Sequence, residues 1–494
     1  MKKSVNNIVY GVIGQIITIV IGLLLPRLRI VNFGSEVNGM LSSVQQIYSY
    51  LALLEAGVGT ATLQALYGPI AKNNKDSINE ILAATNKFYK RTGYIYLASV
   101  LLFAIIYPLA IHTEISPVVL AEVILLNGAG NVLAYFFQAK YKILLQAEGK
   151  QYIITNLTTF VTVFSGITKI VLVQLGCNVV SLQVAYFLFN IAQVCFFAWH
   201  IRKHYQWIDL RVKPNDKAIS QKNSALIHQI SQMIFNNTDV LVLTIFCGLK
   251  VVSVYALYNM VYDMISTLIN NVNNGFSYKL GQLYNSDMKG FFLLYNLYER
   301  YYTAMSFALY CVAFLFVTPF IKLYTNGVTD TEYLIPYIAL LFTVIKLMVS
   351  GRAPSGFIAS YAGHFKKTQN RAIIEAVINL SVSLICVNLW GIYGVLFGTI
   401  IALVYRANDM IIYANVVILK RTPWYTYKWW ALDLILFAMV AFVINKLKLS
   451  ISSYVTFFVY AAITLCVVTL VFMGVTYLFS RKETKSYISL ILRR

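Results

Sequence analysis

Apolar residues run in stretches of about twenty with short polar breaks between them, from one end of the chain to the other. Roughly twenty apolar residues is the length an α-helix needs to cross the hydrocarbon core of a bilayer. The pattern predicts about fourteen spans, at residues 8–31, 37–66, 92–111, 118–139, 153–175, 179–201, 225–246, 251–272, 302–324, 333–361, 372–389, 392–417, 431–444 and 453–479. The thirteenth is short. Ten-residue strands of alternating polarity, the mark of a membrane β-barrel, do not occur. The expected fold class is an all-α polytopic membrane protein.

Composition agrees: of 494 residues 59% are hydrophobic and 12% charged, with mean hydropathy +0.67, against about 25% charged for soluble domains. The net charge of +21 does not point to nucleic acid, because its 40 basic residues sit in short loops and no recognition module is present. Thirty of them fall in one set of alternate loops, four in the other set and six inside spans. The positive-inside rule then puts both termini in the cytoplasm. Six cysteines form no CxxC pair and five histidines do not cluster, so no metal site and no cofactor is expected. The first apolar run holds arginines and no small-residue cleavage site, and reads as a retained helix.

A faint repeat divides the spans. At an offset of 214, Gly34 falls on Gly248, Val37 on Val251, Tyr48 on Tyr262, Leu54 on Leu268 and Val58 on Val272. An offset of six spans predicts two six-helix lobes in the same orientation with the substrate site between them. The expected divisions are 1–215, 216–420, and a pair of additional helices with a tail at 421–494. The longest connection, 202–222, carries the amphipathic HYQWIDLRVKP and reads as an interfacial linker.

Charge inside a span costs roughly 3 kcal/mol per residue even on the lenient insertion scale, so intramembrane charges are candidate functional groups. Six cations qualify: Arg27 and Arg29 beside Pro26, Lys169, Lys346 and Arg352 within VIKLMVSGRAPSGF, and Arg406. Pro26 either kinks the first helix or ends it, and Gly351, Pro354 and Gly356 point to an unwound segment. Buried cations suit a phosphate-bearing anion, since arginine holds phosphate oxygens bidentately; the blander account is snorkelling or local pairing, as of Arg406 with Asp409. Span seven carries His228, Gln229, Gln232, Asn236, Asn237, Thr238 and Asp239, and span eight Asn259 and Asp263. Such a surface suits sugar hydroxyls or, equally, binds helices together in lipid. Among the acids, Asp239, Asp263, Glu55 and Asp409 are candidates to couple transport to Na+ or H+, with structural pairing as the alternative. No GxxxxGK[ST] loop occurs, which disfavours ATP-driven transport in cis.

The opening NNIVYGVIGQIITIVIGLLLPRLRIVNFGSEVNGMLSSVQQIYSYLALLEAGVGTA resembles the start of polysaccharide repeat-unit flippases of the multidrug/oligosaccharidyl-lipid/polysaccharide exporter superfamily. FQAKYKILLQAEGKQYI and NNTDVLVLTIFCGLKVVSVYALYNMV are similar to further stretches of that family. The resemblance implies two six-helix lobes around a V-shaped cavity, often with two further helices. It also implies movement of an undecaprenyl-pyrophosphate-linked oligosaccharide across the bacterial plasma membrane by alternating access, for capsule, O-antigen or exopolysaccharide. Related flippases have cationic cavities with an arginine in helix one, and Arg27 and Arg29 occupy that region. The substrate contacts expected are therefore Arg27, Arg29, Lys346, Arg352, Arg406, Asn236 and Asn237. The expected partners are membrane lipids and the polymerase and glycosyltransferases of the pathway. The competing readings are a cation-coupled drug exporter and a membrane enzyme of the same pathway. The first calls for an acidic or apolar cavity, and the second for sizeable outer loops.

Overall fold

The computed structural model describes residues 2–55, 58–216, 233–234, 237–362, 364–447 and 449–492. These form helices and, among the described residues, no strand. The first seven are α1 (Lys2–Leu51), α2 (Val58–Ala71), α3 (Lys75–Ala110), α4 (Pro117–Phe137), α5 (Ala139–Ala147), α6 (Gln151–Gln174) and α7 (Val179–His204). The short α8 (Asn237–Phe246) follows. Then come α9 (Leu249–Ser286), α10 (Met288–Tyr324), α11 (Ile338–Tyr361), α12 (Phe365–Trp390), α13 (Ile392–Ile412), α14 (Trp424–Lys446) and α15 (Tyr454–Leu492). Among the described residues, eleven helices are long and apolar enough to cross a membrane, and the chain is an all-α polytopic membrane protein. Of the other three expected spans, the first two lie in α1 and α2. The seventh falls in part on residues 225–232 and 235–236, outside the described residues, with α8 at its end.

The first break comes later than the proline suggests. Helix α1 runs through Pro26 and bends at Gly34, whose φ of 83° and ψ of 169° leave the helical region; a positive φ is cheap only for glycine. The unwound segment expected around Gly351 is absent: α11 continues to Tyr361. Its glycines serve close packing instead. A Cβ on Gly351 would lie 2.2 Å from the Trp430 ring and one on Gly356 2.6 Å from the Met410 methyl.

By internal contacts the chain forms two units, Met1–Ser253 and Val254–Arg494. In the first, α3 packs on α4, α4 on α7, α6 on α1 and α7, and α2 on α3 and α5. Helix α8 belongs to this unit because a polar seam binds it to the second half of α1. Tyr50 Oη meets Thr238 Oγ1 at 2.8 Å and Thr244 Oγ1 donates to Ser43 Oγ at 3.0 Å. Just past α8, Asn38 Nδ2 donates to Ser253 Oγ at 2.9 Å.

In the second unit α10 is the central helix, in contact with α11, α14 and α15, while α12 and α13 form a hairpin turning at Gly391. A buried polar clasp ties α14 to α10. The Glu299 carboxylate accepts from Arg421 Nη2 at 2.5 Å and Thr426 Oγ1 at 2.6 Å. Its neighbour Arg300 pairs with Glu483 of α15 and lies 4.7 Å from the Trp429 ring centre. Satisfying both carboxylate oxygens is what makes a buried charge tolerable.

Candidate functional site

The charges expected to bind an anion fall into three groups. In the second unit Glu375 of α12 sits between two arginines: Arg352 Nη1 of α11 at 2.5 Å and Arg406 Nε of α13 at 3.3 Å. Arg406 Nη1 also reaches Asp409 Oδ2 at 2.8 Å, and Asp409 pairs with Arg371, which lies over the Tyr413 ring at 4.6 Å. The local pair Arg406–Asp409 is thus present, but inside a five-member chain across three helices. Arg352, Arg371 and Arg406 thus share the carboxylates of Glu375 and Asp409.

Lys346 stands apart from that chain. Its ammonium donates to Asp263 Oδ1 at 2.6 Å, and Asp263 accepts from Asn259 at 2.7 Å, so this lysine is balanced within α9 and α11.

In the first unit Arg27 and Arg29 are half-buried in α1 and neither is without an interaction partner. Lys169 of α6 has Arg29 as its charged neighbour, and its ammonium lies 4.4 Å from the Tyr186 ring centre. The two cations thus lie within electrostatic reach of each other in apolar helices. Asp239 is buried in α8 next to the Tyr50–Thr238 contact. Asn237 Nδ2 turns back to the Met233 carbonyl at 2.9 Å, and Asn236 lies outside the described residues.

The remaining expected residue, Glu55, lines a cavity of about 400 Å³ within the first unit. Helix α1 ends at Leu51, and a single 3₁₀ turn, Ala52–Glu55, carries the carboxylate into the space between α3, α4 and α5. A 3₁₀ break in an otherwise α-helical run commonly marks a functional position. Glu55 shares a hydrogen bond with Tyr89, and Lys142 of α5 is its opposite charge. Burial pushes the Lys142 ammonium below the ordinary lysine pKa, and Glu55 pulls it back up. Gln45, Ser49 and Asn131 complete the polar lining.

One wall is aromatic and stiff: Tyr48 stacks on Tyr96 (6.3 Å), Tyr96 meets Tyr135 (5.0 Å) and Tyr135 stacks on Tyr89 (6.1 Å). Two of these phenols are held by the protein, Tyr48 Oη donating to the Ile124 carbonyl and Tyr96 Oη accepting from Asn131 Nδ2 at 2.9 Å.

Sequence reasoning missed most of this wall. Lys142 reads as one more loop lysine, and nothing separates four tyrosines from the 36 in the chain. The available signal was Glu55 itself, a carboxylate at the end of an apolar run. The Glu299 clasp was missed as well, because Arg300 and Arg421 pass for topology signals at span ends.

No protein-family model matches the chain, and no curated protein matches it either. Solved structures do. An inward-facing multidrug-resistance MATE-family transporter of the MOP superfamily matches with TM-score 0.65 and 16% identity, over 80% of this chain and 94% of its own. The lipid II flippase MurJ, in an inward closed conformation, matches with TM-score 0.63 and 15% identity, over 95% of this chain and 99% of its own. The MATE multidrug transporter DinF-BH matches with TM-score 0.59 and 13% identity, over 82% and 93%. At such identities the likeness concerns the fold. The chain has the fold of MOP-superfamily transporters.

Proposed function

We propose that this protein is a flippase. It carries an undecaprenyl-pyrophosphate-linked oligosaccharide from the inner to the outer leaflet of the bacterial plasma membrane by alternating access, for surface polysaccharide synthesis. Both termini are cytoplasmic in this reading. The observation that carries it is the Arg29–Lys169 neighbourhood in the spanning part of the first unit. Like charges held together in an apolar environment favour an anion and disfavour a cation. At an effective dielectric near 20, a unit charge at about 4 Å contributes roughly 4 kcal/mol, enough to matter for a diphosphate.

In this reading Arg27, Arg29, Arg352, Arg406 and Lys346 contact the diphosphate and sugar, with Asn236 and Asn237 as polar contacts. Asp239, Asp263, Glu55 and Asp409 are the groups available to couple transport to Na+ or H+. The polymerase and glycosyltransferases of the pathway are its partners. The match to a lipid II flippase over 95% of the chain supports the same reading, as it reaches further than the 80% of the MATE match.

A multidrug exporter is the second reading, favoured by the MATE structures that share the fold. The test is complementation of a flippase-null strain. Arg29→Gln and Lys169→Gln are expected to abolish it at wild-type protein levels, with no drug resistance conferred by the wild type. Full complementation by both variants, or drug resistance without complementation, overturns the proposal.

A further inference from the structure

The cavity in the first unit is built for something other than a diphosphate. Its two formal charges, Glu55 and Lys142, cancel, so it holds no net attraction for either an anion or a cation. Its volume, about 400 Å³, lies within the roughly 300–1,000 Å³ of small-molecule sites. What lines it offers donors and acceptors together: a carboxylate that only accepts, an ammonium that only donates, and amide and hydroxyl groups that do both. A hydroxyl is the ligand group that uses such a mixture, because each one donates and accepts at once. The tyrosines stacked from Tyr48 to Tyr89 keep this lining in place before any ligand arrives, which lowers the ordering cost of binding.

We propose that this cavity, between the 3₁₀ turn at Glu55 and α5, is a binding site for an uncharged sugar ring. This rests on the flippase reading and deepens it: the glycan is held inside the first unit, apart from the cations that take the diphosphate. The site lies at the α5 end of the unit, which is the lysine-rich side expected to face the cytoplasm.

The experiment is saturation-transfer NMR on the purified full-length chain in detergent. The probes are methyl glycosides of glucose, galactose, rhamnose and N-acetylglucosamine, with glycine betaine and methyl phosphate alongside. Transfer to the ring protons of at least one glycoside is expected, with none to betaine or methyl phosphate. Asn131→Ala, at an exposed position, is expected to weaken it about fivefold, the loss of one hydrogen bond. Ala134→Trp, which fills the space, is expected to abolish it, with monodisperse elution as the folding control for both variants.

Glycoside signals no larger than those of Ala134→Trp overturn the proposal, as does binding of betaine or methyl phosphate alone. The two readings fail separately. If the glycosides do not bind while Arg29→Gln still abolishes complementation, the sugar site falls and the flippase stands. If a glycoside binds but Arg29→Gln complements fully, the flippase reading falls and the site survives.

Discussion

Tyr48 and Tyr262, 214 residues apart, hold corresponding places in the two units. Each donates its hydroxyl to a backbone carbonyl 76 or 77 residues further on, Ile124 for one and Ala339 for the other. Each faces a second tyrosine at the same offset, with Tyr48–Tyr96 at 6.3 Å and Tyr262–Tyr310 at 6.4 Å. The bends that lead into them match too, with φ of 83° at Gly34 and 82° at Gly248. The surroundings do not match. Beside Tyr48 the helix stops at Leu51 and Glu55 turns into a cavity; beside Tyr262, α9 runs unbroken to Ser286 and the Glu55 position is the buried Ile269. Asn131 likewise corresponds to the buried Ile345. The backbone supports were kept in both copies, while a helix break and polar side chains replaced by buried isoleucines mark off the cavity of the first unit.

The strongest way to break that contrast is to move the carboxylate. Ile269→Glu places a charge at a fully packed position with no partner. That costs several kcal/mol, a large part of the roughly 5–15 kcal/mol that holds a domain together. Loss of monodisperse protein in size-exclusion chromatography is expected. The reverse exchange, Glu55→Ile, deprives Lys142 and the Tyr89 hydroxyl of their partner, but beside a polar cavity rather than in a packed core, and is expected to cost about 1–3 kcal/mol, less than Ile269→Glu. Equal tolerance of the two exchanges would mean that the units do not differ as described.

How much of this was legible in the chain depends on whether a feature lies along one helix or across several. The spans are local, and the match of eleven helices to eleven expected positions follows from apolar length alone. Glu55 was legible for the same reason. The link from Arg352 to Glu375 to Arg406 was not: it joins α11, α12 and α13, and which acid meets which arginine depends on helix rotation that hydropathy does not encode. Proline and glycine misled where their packing role prevailed. Pro26 does not stop α1, and Gly351 leaves room for Trp430 rather than unwinding α11. Gly34 and Gly248, aligned by the repeat, are where the backbone turns.

A smaller effect sharpens the comparison of the two tyrosines. Tyr262 is fully buried and its hydroxyl serves both the Ala339 carbonyl (2.8 Å) and Thr343 Oγ1 (2.7 Å). Tyr262→Phe removes both contacts in a dry core and leaves Thr343 Oγ1 and the Ala339 carbonyl with each other (2.7 Å), at a cost of about 1–3 kcal/mol. Tyr48→Phe strands one carbonyl next to a polar cavity that can admit water, and is expected to cost nearer 1 kcal/mol. Thermal unfolding of the two variants in the same detergent measures the difference. A larger loss for Tyr48→Phe would count against a closed core around Tyr262.

The smallest expected effect concerns α5, the helix that closes the cavity. Lys140 is buried there, its ammonium donating to the Phe136 carbonyl at 3.0 Å and lying 4.9 Å from the Tyr141 ring centre. Burial first, and then the nearby Lys90, push its pKa down to about 8, against about 10.4 for a free lysine. Between those values the unfolded chain binds a proton that the folded chain does not, so stability rises with pH across that window. Below about 8 both states are protonated and the folded one carries the full penalty of a buried charge. The gain is of order 1 kcal/mol once residual solvation is allowed for. It should appear as an unfolding temperature that climbs from pH 8 to pH 10 in wild type relative to Lys140→Met. Parallel pH profiles for the two proteins would mean that this lysine keeps its ordinary pKa, and that α5 covers the cavity less tightly than its packing indicates.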